Sequence, residues 1–179
     1  MLTITIPPQE LFNDKTQEFV STKGCTLQLE HSLVSLSKWE SKWNKPFLSK
    51  EKKTIAETLD YIRCMTITQN INPEVYNFLT DKNISDINNY IDAPMTATTF
   101  SDNGNKSSRE IVTSELIYYW MISLNVPMEC QKWHLNRLLT LIRVCNVKNT
   151  PPKKMSRKEI MSRNAALNAA RRKKLNSKG

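Results

Sequence analysis

Alternation marks the first elements of the chain. Leu2-Thr3-Ile4-Thr5-Ile6 places an apolar side chain at every second position, the period of a strand with one buried face, and Pro7-Pro8 stops it. Thr26-Leu27-Gln28-Leu29-Glu30 repeats the period after a turn at Lys23-Gly24. The two runs predict a small sheet, a hairpin across the intervening segment. Two strands alone are marginal, so helices must cover one face.

From Ser32 the period becomes helical. Leu33, Leu36, Trp39 and Trp43 fall near one face, with Lys38, Glu40, Ser41 and Lys42 mostly off it, and Pro46 ends the run. Ser49 can cap a second helix from Lys50 to Met65, with Ile55, Leu59 and Ile62 inward. Asn72-Pro73-Glu74 is a third start: a cap, a proline in the first turn and an acid beside it. Ile84, Ile87, Tyr90 and Ile91 mark a fourth short helix, closed by Pro94.

Residues 100–110 hold Gly104 and almost no apolar groups, which predicts a mobile loop. Ile111 to Leu124 is then apolar nearly all round, the pattern of a central helix surrounded by others. Asn125-Val126-Pro127 breaks it. A second long helix from about Met128 to Val147 directs Trp133, Leu138, Leu141, Ile142 and Cys145 inward, and the pair predicts a helical hairpin at the centre of the body. After Asn149-Thr150-Pro151-Pro152, a stiff polar spacer, Ser156-Arg157-Lys158-Glu159 has the form of a capping box opening a basic helix. The fold class expected is mainly α (α+β). Residues 1–148 form a helical body with a small N-terminal two-stranded β element, and residues 149–179 a basic C-terminal helical tail.

Charge sharpens this division. The 179 residues carry a net charge of +9. Residues 148–179 hold eleven lysines and arginines against Glu159 alone, so the rest is close to neutral. The body has no electrostatic reason to seek nucleic acid. The tail could bind phosphate, dock on an acidic protein surface, or stay solvated. No aromatic residue follows Trp133 to stack on single-stranded bases, so sequence-specific nucleic-acid recognition is not expected.

Catalytic chemistry leaves little trace. The three glycines, Gly24, Gly104 and Gly179, are too few for a phosphate-cradling loop. Neither His31 nor His134 lies in a nucleophile or metalloprotease motif, and each is expected as a satisfied polar histidine. Cys130 and His134 are spaced as ligands on a helix, but no second pair completes a metal site. Cys25, Cys64, Cys130 and Cys145 are expected as buried free thiols. The acidic pairs Glu57 with Asp60 and Glu115 with Glu129 are expected on solvated faces or as caps. A helix-turn-helix over 111–147 is the weaker alternative, because Glu129 opens its second helix. No cofactor, no metal and no catalytic residue are expected. No stretch reaches the roughly 18 apolar residues of a membrane span, and the N-terminus lacks a signal-peptide pattern.

Several blocks carry a family resemblance. Leu29-Glu30-His31-Ser32-Leu33-Val34-Ser35-Leu36-Ser37-Lys38-Trp39-Glu40-Ser41-Lys42-Trp43, Met95-Thr96-Ala97-Thr98, Ile117-Tyr118-Tyr119-Trp120-Met121, Gln131-Lys132-Trp133-His134-Leu135-Asn136-Arg137-Leu138-Leu139 and Pro151-Pro152-Lys153-Lys154-Met155-Ser156 resemble tailed-bacteriophage tail-module proteins of the tail assembly chaperone type. The resemblance implies a helical, non-enzymatic protein. Its partners would be tape-measure or tube-like tail proteins or other virion proteins, with a homo-oligomer also open. It would act in the host cell cytoplasm, or in the virion if it is a structural component such as a connector, tail-completion or minor tail or capsid subunit. A non-specific nucleic-acid-binding protein is the second alternative. The resemblance transfers no site residue. From the residues themselves, the partner-binding candidates are Trp39 and Trp43, paired on one helix face, and the tail bases Lys153, Lys154, Arg157, Arg171, Arg172, Lys173 and Lys174.

Overall fold

The computed structural model describes residues 1–13, 17–100, 111–151 and 156–176. It is mainly helical, with antiparallel β structure at the N-terminus. Strand β1 (Leu2–Ile6) pairs with β4 (Cys25–Leu29), as the alternation predicts, and Leu2 faces Leu29. Between them β2 (Gln9–Asn13) pairs with β3 (Glu18–Thr22), a second ladder the sequence reading missed. Ile6 faces Cys25 and Gln9 faces Thr22, so both ladders keep one register. They form one long hairpin, interrupted where Pro7 and Pro8 can donate no ladder hydrogen bond. Gly24 closes that interruption at φ +80°, and a Cβ there would lie 2.9 Å from the Ile6 carbonyl oxygen. Only glycine suits both conditions.

Alternation fixes which face is buried. Ile4, Ile6, Leu27 and Leu29 are buried, while Thr3, Thr5, Thr26 and Gln28 are exposed. Residues 65–67 run along the other side of β4, where the Glu30 amide donates to the Met65 carbonyl and the Ile67 amide to that of Gln28. Helix α1 (Leu33–Trp43) follows, with a reciprocal cap between Ser32 and Ser35 and Asn44 left-handed at its end.

Helix α2 (Ile55–Met65) starts five residues later than expected. Its capping box is Thr54 with Glu57, not Ser49, and Ile55 is exposed rather than inward. Asn72 does cap a helical segment, a 3-10 turn over Pro73–Phe78. Helix α3 (Asp81–Asp92) lies against β1. Helix α4 (Ser114–Ser123) buries Ser114, Ile117 and Met121 but exposes Tyr119 and Ile122, so it is not surrounded on all sides. The expected long helix is split into a 3-10 turn over Met128–Lys132 and α5 (Leu135–Asn149). Eleven residues, 124–134, therefore separate α4 from α5, which is not the short turn of a helix-turn-helix. The expected loop at 100–110 lies, apart from Phe100, outside the described residues.

The chain divides into two compact units, Met1–Asn146 and Val147–Gly179. In the first, α1 packs on α2, α4 and the 128–132 turn, so α1 occupies the centre expected for the α4/α5 hairpin. Two apolar clusters meet along it. One gathers Ile4, Ile6, Leu27 and Leu29 with Trp39, Tyr61, Ile62, Met65, Phe78 and Ile87. The other gathers Leu33 and Leu36 with Ile117, Met121, Leu135, Leu138 and Ile142. Each fully buried aliphatic side chain contributes about 2 kcal/mol. In the second unit, α6 (Arg157–Leu175) is capped by Ser156 and Glu159, and every residue from Ser156 to Asn176 is exposed.

Glu40 links three segments of the body. Its buried carboxylate accepts from the Phe47 amide at 2.8 Å and from the Ser114 amide, in the first turn of α4, at 2.7 Å. Hydrogen bonds to a charged acceptor contribute about 1.5–3 kcal/mol each, and an orphaned buried amide is costly. Glu40→Ala is expected to lower the unfolding free energy by about 3 kcal/mol in urea titrations, with Glu40→Gln intermediate because it keeps one acceptor. A loss below about 1 kcal/mol would refute this role.

Candidate functional site

The paired tryptophans tie α1 to α2. Trp39 is 1% exposed and donates its indole N–H to the Glu57 carbonyl at 2.8 Å. Trp43 is half-buried and donates to the Asp60 carboxylate at 2.8 Å. The rings stack on each other at 6.2 Å, and Phe47 closes edge-on against Trp39 at 5.1 Å. Trp39 offers a partner no surface.

The carboxylates beneath them are not on a solvated face either. Both Glu57 and Asp60 are buried. Glu57 accepts from Lys45 at 2.6 Å and from the Thr54 amide at 2.7 Å, and these bonds, Lys45 first, pull its carboxyl down to about 2. Asp60 holds Lys42 and Trp43. Each carboxylate is fixed as an anion, and neither can serve as a general acid near neutrality. Glu115 and Glu129 are exposed, as expected.

A shallow open groove of about 410 Å3 runs past Glu30, Ser32, Lys38, Cys64, Ile67 and Lys132. Burial pushes the Cys64 thiol up, which keeps it protonated and a poor nucleophile. The four cysteines are free thiols, but only Cys130 is buried, and burial pushes its thiol up as well. Among the described residues no group of three His, Cys, Asp or Glu could hold a metal ion, and no helix is long and apolar enough to cross a membrane.

The two histidines, far apart in the chain, come together. Their rings meet edge to face at 5.1 Å, with His31 2% and His134 6% exposed. Tyr61 reaches His31 Nδ1 at 2.6 Å, and the Tyr90 carbonyl accepts from His134 Nε2 at 2.9 Å. Each is a satisfied polar histidine, as expected, but nothing in the sequence signalled that they are neighbours. His134 stands just before α5 rather than within a long helix.

The remaining candidates are the tail bases. Lys153 and Lys154 lie outside the described residues. Arg157, Arg171, Arg172, Lys173 and Lys174 are exposed on α6, as are Lys158 and Arg163, which the candidate set left out. Ile160 and Leu167 share a face with Asn164 between them and Arg171 one turn beyond, so no continuous apolar stripe forms. Arg172, Lys173 and Lys174 occupy the last turn, where they also favour the helix dipole.

Comparison with known proteins returned no matching family model, no similar curated protein and no similar solved structure.

Trp39→Ala is expected to cost about 3–5 kcal/mol of stability through the cavity and the lost indole bond. Chemical denaturation of the purified variant measures it. A variant as stable as the parent would refute the anchoring role of Trp39.

Proposed function

We propose that this chain is a phage tail assembly factor that works by protein–protein contact and without catalysis. The carrying observation is α6, a nineteen-residue helix with seven bases, one acid and no buried residue. Nothing in that helix's own packing requires so much charge, whereas an acidic partner surface does. Buried acids and imidazoles in the body support the same reading, because each is committed to holding backbone or a neighbouring side chain. The tail-module resemblance of the blocks quoted above supplies the phage context. A body that folds on its apolar clusters and a charged helix that engages a partner would divide the work.

Replacing Arg171, Arg172, Lys173 and Lys174 together by Gln is expected to weaken capture of tail proteins from nuclease-treated infected-cell lysate by tenfold or more. The urea midpoint of the body should stay unchanged. Undiminished capture by this variant would sink the proposal. Mass spectrometry of purified particles is expected to find the protein missing, and a fixed copy number there would replace the assembly factor by a structural virion component.

A further inference from the structure

The bonding around His134 fixes its tautomer. Nε2 faces the Tyr90 carbonyl oxygen, which can only accept, so Nε2 carries the hydrogen. Nδ1 is then the bare nitrogen, and it accepts the Asn136 amide hydrogen at 3.3 Å. The His134 carbonyl accepts from the Leu138 amide, the first turn of α5. His134 therefore caps α5 as Ser or Asp caps other helices. A further proton can go only to Nδ1, where it would meet the Asn136 N–H. Two donors cannot bond each other, and the new cation would sit at the positive end of the helix dipole.

The same point ties α5 to its neighbours. The Leu135 amide donates to the His31 carbonyl at 2.7 Å, and Ser32 and His134 form an isolated antiparallel bridge. The Asn136 side chain donates to the carbonyls of Ile91 and Ala93, both at 2.9 Å, at the end of α3. We propose that this junction is an acid-sensitive latch. With both imidazoles neutral it holds the start of α5 against the β4–α1 corner and the end of α3, and one proton on His134 releases that start.

The surrounding groups decide which ring takes the first proton. Helix α2 brings the Tyr61 hydroxyl to His31, and α1 brings Ser35, whose hydroxyl donates to the Ser32 carbonyl at 2.8 Å. Helix α3 brings Tyr90, whose hydroxyl donates to Glu30 at 2.6 Å and whose ring packs edge-on against His134 at 4.9 Å. Glu30, between β4 and α1, also pairs with the Met1 ammonium at 3.0 Å. Burial, with His134 beside it, pushes His31 down to about 4. Burial lowers His134 as well, and the Met1 ammonium adds a little to that, while the Tyr90 carbonyl and Glu30 favour its cation. His134 thus protonates first, below the ordinary histidine value of about 6.5. A released imidazole takes a proton more readily than the latched one. The latch is therefore closed above the ordinary histidine value of about 6.5 and weakens as pH falls below it.

Amide hydrogen exchange on the full chain, corrected for intrinsic rates, tests the latch. Between pH 7 and pH 5 the protection of the Asn136 and Leu138 amides is expected to fall about tenfold relative to the Leu27 amide in β4. His134→Asn keeps a cap that cannot ionise, and its ratio should stay constant. A constant ratio in the parent, or an equal fall in His134→Asn, would overturn the proposal. If His134→Asn fails to fold, ring nitrogen shifts of the parent decide. Protonation of His134 Nδ1 in step with the lost protection supports the latch, and protonation without that loss overturns it.

Discussion

Helix α1 must keep two apolar surfaces covered at once. Trp39 faces the cluster built on the N-terminal strands, and Leu33 with Leu36 faces the cluster built on α4 and α5. The buried residues Leu33, Ser35, Leu36, Trp39 and Glu40 spread over nearly half the helix circumference, wider than the roughly 100° stripe of an ordinary surface helix. A helix loaded in this way cannot rotate without uncovering one cluster or the other. Its orientation therefore sets where every neighbouring element can pack.

Polar groups fix the positions that apolar packing leaves loose. Hydrophobic contact is non-directional and would tolerate α4 or α5 sliding along α1. Glu40 removes that freedom for α4 by binding the Ser114 amide, and the His31 and Ser32 backbone removes it for α5. Trp39 does the same for α2 through the Glu57 carbonyl. In each case a directional bond is made in a dry environment, where leaving it unmade is expensive. The buried acids and imidazoles thus act as registration points between helices in a body with little excess charge.

What the sequence revealed follows from the range of each interaction. Local signals were legible: the alternation of β1 and β4, the Asn72-Pro73 start, and the Ser156–Glu159 cap. The Thr54–Glu57 capping box was equally present, and the Ser49 reading overlooked it. The β2–β3 ladder was not legible, because Leu11-Phe12 and Phe19-Val20 set apolar residues side by side instead of alternating them. Composition around α4 misled for a different reason. A helix rich in apolar residues was expected to be surrounded, yet Tyr119 and Ile122 face outward. The histidine pair depends on the tertiary meeting of β4, α3 and α5, and no pattern along the chain encodes such a meeting.

Helix α6 obeys a different balance. It buries nothing, so its order comes from its cap, its alanines and the dipole, without the tertiary packing that stabilises most helices. The end of the helix also works against itself, because Arg171 and Lys174 lie three residues apart with like charge. An anionic surface that engaged these bases would screen that repulsion in the same step. Binding would then stiffen the helix, and a stiffer helix would present its bases at a lower entropic cost. Under the proposed function, charge in this segment would govern both recognition and folding, whereas in the body folding rests on the apolar clusters.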